Sequence, residues 1–89
     1  MIICDFCSSP DVTRRYRAKS FVDPARLGIS DGDWAACDVC ADLVDGEHWK
    51  ALENRSIETF PGGVDEAHEV PMRIYIASLH RKFRENRIL

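Results

Sequence analysis

Every cysteine of this chain stands in one of two matched pairs, Cys4-Asp5-Phe6-Cys7 and Cys37-Asp38-Val39-Cys40. Two Cys-x-x-Cys pairs supply the four thiolates of a tetrahedral structural zinc site, and a shell closed by four sulfurs leaves no position for water or substrate. The two-residue spacer lets the backbone turn back and aim both sulfurs at one point, while the amides that follow can bond to the thiolates. With 29 residues between the pairs, a single ion would join two separate pieces of chain. The expectation is therefore one Zn2+ per chain, held by Cys4, Cys7, Cys37 and Cys40, that organises the fold and does no chemistry itself. Iron suits the same four-sulfur tetrahedron. Two disulfides or a redox-active thiol pair are the other uses of such pairs. Against them, the start Met1-Ile2-Ile3-Cys4 does not resemble a secretory signal, and a thioredoxin-like dithiol needs a larger βαβ framework than this chain offers.

At 89 residues and 45% hydrophobic, the chain fits one domain with a small core, the kind that a bound metal often staples. No apolar run approaches the ~20 residues of a membrane span, so the protein is expected to be soluble and cytoplasmic, with no membrane partner. The net charge of −3 hides an uneven distribution: residues 1–19 and 71–89 are net basic, while residues 20–70 carry twelve acidic side chains against three basic ones. An acidic centre between basic ends argues against a general nucleic-acid coat, which needs accumulated positive charge. It suits a protein-binding surface better.

Pro10-Asp11 reads as a turn and Val12 to Ala18 as a strand, with Val12, Tyr16 and Ala18 on alternate positions shared with Arg14. Ser20-Phe21-Val22 extends it or begins a second short strand, Asp23 to Asp33 is a loop dense in turn formers, and Trp34-Ala35-Ala36 returns as a strand into Cys37. Asp38 to Asp45 reads as a helix with Val39, Leu43 and Val44 inward. Asp45 is expected to cap a second helix, about Gly46 to Thr59, with Trp49, Leu52, Ser56 and Phe60 on one face. Pro61-Gly62-Gly63 ends it. A last helix, from Val70 or Pro71 to Asn86, carries the apolar stripe Met72, Ile76, Leu79 and Phe83.

That order predicts an α+β fold: knuckle, β-hairpin, then a helix starting at the second cysteine pair, followed by two further helices. It resembles the treble-clef zinc fingers, in which the second pair sits in the first turn of a helix. A zinc ribbon with C-terminal helices, both pairs on hairpin turns, is the alternative. Residues 1–60 form the zinc-binding domain in this reading, and residues 61–89 an amphipathic helix packed on the same domain.

The strings Cys4-Asp5-Phe6-Cys7-Ser8, Gly32-Asp33-Trp34-Ala35-Ala36-Cys37-x-x-Cys40 and Leu52-x-x-Arg55-Ser56 together resemble a family of small uncharacterised bacterial and phage-type proteins. The resemblance spans roughly residues 1–60, and its Gly-Asp-Trp-Ala-Ala-Cys segment is more specific than the cysteine spacing. It implies a zinc-binding intracellular module and supplies no substrate.

Outside the cysteines, His48, His68 and His80 lack the spacing of a zinc hydrolase motif and are expected at the surface or at caps. Trp34 and Trp49 read as core around the metal, with Trp34 alternatively an exposed contact for a protein partner. Asp31, Asp33, Asp38, Asp42 and Asp45 read as a solvated acidic surface with no calcium-loop pattern. On the last helix, Arg73, His80, Arg84 and Arg87 fall along one basic flank, which with Trp34 makes the candidate partner-binding set. The apolar stripe is core, or pairs with a second copy of the chain as a homodimer.

These features predict a non-enzymatic, zinc-stabilised protein-binding module, a regulator of a bacterial or phage-host macromolecular machine. The alternative is a nucleic-acid-binding zinc finger using Arg14, Arg15, Arg17 and Lys19. No Ser/His/Asp or paired-carboxylate arrangement is legible to support catalysis.

Overall fold

Val12-Thr13-Arg14-Arg15-Tyr16 forms strand β1 in a computed structural model, which describes residues 2–25, 28–30 and 32–88. It pairs antiparallel with β4, Trp34–Cys37, placing Tyr16 opposite Trp34 and Arg14 opposite Ala36, with a bulge between Val12 and Arg14. β1 is exposed over most of its length, whereas all four residues of β4 are buried. Small side chains at Ala35 and Ala36 let neighbouring backbone come close. Asp5 exploits this on the outer edge of β4: its N–H donates to the Ala35 carbonyl at 2.8 Å, and the Ala35 N–H donates to Asp5 Oδ2 at 2.7 Å.

Between these strands the expected loop holds a smaller hairpin. β2, Phe21–Val22, pairs antiparallel with β3, Ile29–Ser30, so the segment from Asp23 to Asp33 is not loop throughout. Beyond β1, Ala18 forms an isolated bridge with Arg87, and the Lys19 and Ile88 amides donate to the Asn86 and Arg17 carbonyls at 2.8 and 2.9 Å. The strand predicted to reach Ala18 therefore ends at Tyr16, and its continuation pairs with the far end of the chain.

Helix α1 spans Asp38–Asp45, with Asp38 in its first turn, where a negative charge meets the positive end of the helix dipole. Cys40, Ala41 and Val44 point inward; Val39, expected on that side, is exposed. Helix α2 spans Trp49–Glu58 and buries Leu52, Glu53, Ser56 and Ile57. Asp45 does not cap it. That carboxylate instead accepts from the Tyr16 hydroxyl at 2.8 Å and pairs with Arg14 at 2.7 Å, and the chain enters α2 through Glu47 in the left-handed region at φ 58°. Gly62 and Gly63, at φ 81° and 77°, supply the left-handed turn after α2 that residues with a Cβ disfavour. A short 3-10 turn, Glu66–His68, leads into α3, Glu69–Asn86, where Pro71 is tolerated because the first turn leaves its amides unpaired anyway.

One cluster forms the core. Phe83 of α3 is fully buried, with ring centroids 4.9 Å from Trp34, 5.5 Å from Phe6 and 6.1 Å from Tyr16. Of the stripe Met72, Ile76, Leu79 and Phe83, Ile76 and Phe83 are buried and Leu79 packs against the cluster, while Met72 is only half-buried. The architecture is α+β, with two small antiparallel sheets and three α-helices among the described residues, the last packing Phe83 against Phe6, Tyr16 and Trp34. Among the described residues no helix is long and apolar enough to cross a membrane.

Candidate metal centre

The first cysteine pair lies on a tight knuckle. The Cys4 N–H donates to the Ser9 carbonyl at 2.7 Å, the Ser8 N–H returns to the Cys4 carbonyl at 2.9 Å, and Ser8 takes a left-handed φ of 67° to close the turn. The second pair sits where β4 becomes α1: Cys37 is the last strand residue and the N-cap, and Cys40 lies in the first helical turn. Hairpin pairing brings these two sites together.

All four cysteines are buried, and their sulfurs lie within 4.8 Å of one another. Sulfurs about 2.3 Å from a shared tetrahedral ion stand roughly 3.8 Å apart. The Cys7 and Cys37 sulfurs are separated by 3.6 Å, close to that edge and far beyond the ~2.05 Å of a disulfide bond. The donor set therefore fits a tetrahedral metal, and the four thiols are unlinked. Among the described residues this is the only group of His, Cys, Asp or Glu able to share an ion.

The surroundings favour negative sulfur at Cys4 but not throughout the cluster, since burial pushes the Cys7 thiol up. A hydrogen bond from the Cys40 thiol, helped by backbone amides of the knuckle and despite burial, brings the Cys4 thiol down to about 4; Cys40, donating that bond, is pushed up. Arg55 of α2 donates from Nη2 toward Cys7 Sγ at 3.7 Å and Cys37 Sγ at 3.9 Å. The neighbouring Ser56 donates its hydroxyl to the Phe6 carbonyl at 2.7 Å, so consecutive α2 residues fasten that helix to the knuckle. Neither role was expected from the sequence, although Arg55-Ser56 belongs to the third string singled out there. A signal existed: a four-thiolate site around a divalent ion is anionic, and Arg55 is one of only three basic residues between positions 20 and 70.

The five residues expected at a partner surface scatter. Trp34, 5% exposed, is core, stacked with Phe21 and packed on Phe6 and Phe83, and its Nε1 donates to Ser30 Oγ at 3.1 Å. His80, also 5% exposed, departs from its expected surface position: it lies one turn from Ile76 and Phe83 on the buried face, edge-on to Phe6, with Nε2 3.5 Å from Ser56 Oγ. Burial lowers its pKa to about 4, and its buried Nδ1 has no hydrogen-bond partner. Arg73 is held within the chain by Glu53 at 3.1 Å and by Asn54 at 2.7 Å. Burial opposes the Glu53 carboxylate, yet Lys50 and Arg73 together keep its pKa below the ordinary value. Arg84 is exposed with its guanidinium 4.7 Å from the Trp49 ring, and half-buried Arg87 stacks 4.9 Å from Tyr16.

His48 precedes α2 at its N-cap position, and His68 is exposed beside Asp65 at 2.6 Å. Asp33, Asp38, Asp42 and Asp45 are exposed as expected; Asp31 lies outside the described residues. No protein-family model, curated protein or solved structure matches this chain.

Proposed function

We propose that this chain is a zinc-stabilised, treble-clef-like protein-binding module with no catalytic role. The treble-clef assignment is favoured over a ribbon because the second cysteine pair sits at a strand-to-helix junction and not on a hairpin turn. Zinc is favoured by four buried thiols at tetrahedral spacing. Unlinked thiols suit a reducing compartment, which makes the cytoplasm the proposed setting.

One observation carries the binding role. A groove of about 530 Å³, lined by Ala25, Phe60, His68, Pro71, Met72 and Tyr75, is almost wholly apolar and includes no metal ligand. Val70 and Ile74, in the same half of α3, are 66% and 64% exposed. Contiguous exposed apolar surface rimmed by polar residues is a feature of protein interaction sites. Around it Glu69 is paired with Arg73 at 3.5 Å and Asp65 with His68 at 2.6 Å, while Glu58 and Glu66 are exposed, so the matching partner presents apolar side chains with a few basic ones beside them. The setting we propose for that partner is bacterial transcription, replication or division machinery.

The test is crosslinking capture from a bacterial lysate with the zinc-loaded protein and with a Met72→Glu/Ile74→Glu double variant. A partner captured by wild type and lost with the variant is expected. Capture of the same proteins by both, or of none by either, would count against the reading. Native mass spectrometry of the same samples reports metal stoichiometry and whether a second copy binds.

Nucleic acid is the second reading, supported by exposed Arg15, Arg17 and Lys19 along and after β1. Its signature is a gel shift at low salt that disappears steeply as salt rises. Blank lanes at low salt with single- and double-stranded DNA and RNA would remove it.

A further inference from the structure

Arg55 reaches one sulfur from each cysteine pair, Cys7 from the knuckle and Cys37 from the strand-to-helix junction. Four thiolates around a divalent cation carry about two net negative charges, and buried negative charge is costly unless a cation or hydrogen bonds meet it. Among the described residues no other charged side chain bonds to these sulfurs. The Nε of the same guanidinium is buried without a hydrogen-bond partner, so contact with the sulfurs is what offsets the cost of placing a cation there. One position along α2, Ser56 fixes the helix to the Phe6 carbonyl.

We propose that Arg55 is the countercharge of the metal centre and that metal occupancy, through Arg55, holds α2 against the knuckle. The inference rests on reading the cysteine cluster as a metal site. The β1–β4 pairing and the Asp5–Ala35 bonds already hold the two pieces of chain together; what the ion adds is four sulfurs kept as thiolates, the negative charge that seats a guanidinium spanning one sulfur from each piece. N–H bonds to ligand atoms orient them and tune affinity, and loss of such a partner typically costs about 10–100-fold. Arg55 is a positioning residue in this scheme and not a ligand.

The test compares zinc-loaded wild type with Arg55→Gln and Arg55→Lys. Metal release to a chromophoric chelator is timed, and amide hydrogen exchange is followed across Trp49–Glu58 with and without chelator. Arg55→Gln is expected to release metal about 10–100-fold faster, while cobalt(II) in place of zinc still shows the thiolate absorption of an intact four-sulfur shell. Arg55→Lys, which keeps the charge and loses the fork, should fall between the two. In wild type, chelation should strip protection from α2. Release from Arg55→Gln within about twofold of wild type would overturn the countercharge role, and α2 protection that survives chelation would overturn the coupling. Should Arg55→Gln give no folded protein, the lysine variant decides: retained metal supports the charge role and failure to hold metal overturns it. A wild-type protein that takes up no metal would sink the metal-site reading itself, a result distinct from either.

Discussion

The Ser56 hydroxyl donates to the Phe6 carbonyl at 2.7 Å across 50 positions of sequence, linking the last turn of α2 to the cysteine knuckle. Both residues are buried. Ser56→Ala leaves that carbonyl without this donor and should cost about 1–3 kcal/mol. Urea denaturation of the zinc-loaded variant measures it, and a midpoint equal to wild type would show that the bond contributes nothing.

Removing the metal should have the largest effect. A structural zinc contributes on the order of 10 kcal/mol of apparent folding free energy, comparable to the whole stability of a small domain. Chelation, or Ser in place of any one of Cys4, Cys7, Cys37 or Cys40, should abolish the cooperative thermal transition seen by circular dichroism. A Cys37→Ser variant melting like wild type would contradict the scheme.

Phe83 holds the aromatic cluster together from α3. Phe83→Ala removes a fully buried ring that meets Phe6, Tyr16 and Trp34, and should destabilise by about 3–5 kcal/mol. Conversely Val70→Lys and Ile74→Lys, at exposed positions, should change stability by no more than about 0.5 kcal/mol. Denaturant titrations of the three variants test the contrast.

His80 makes the fold sensitive to acid. Unfolded, the imidazole takes its proton near 6.5; in the fold, burial lowers that value to about 4. Between those values the unfolded chain binds more protons, so stability rises with pH and is lost as pH falls from about 6.5 toward 4, by on the order of 3 kcal/mol. Metal release in acid affects wild type and His80→Phe alike, so the difference between their stability profiles isolates the histidine. Profiles that stay parallel from pH 7 to 4 would dismiss this contribution.

The cysteine cluster was legible because ligand chemistry dictates both residue type and spacing. α1 and α3 were legible because a helix repeats its buried side every three to four residues, and the Met72-to-Phe83 stripe shows it. β2 was legible only as one of two options for Ser20-Phe21-Val22, and β3 not at all, since two-residue strands are too short to display a period. His80 was placed on the basic flank by its spacing from Arg73, yet it also stands four residues after Ile76 and three before Phe83, on the buried side. Its polar ring masked that position. Arg55 escaped because its sulfur partner Cys7 is 48 positions away, and no local pattern reports a contact made only by tertiary packing.

All four metal ligands precede position 41, while Phe83 and the Arg87 bridge to Ala18 come at the other extreme of the chain. If the cluster takes up an ion as the N-terminal residues leave the ribosome, it does so before the ring that covers Phe6 and Trp34 has emerged. Until α3 arrives, Phe6 and Trp34 lack the ring that covers them, so a chain still in synthesis would expose apolar surface that the finished fold hides.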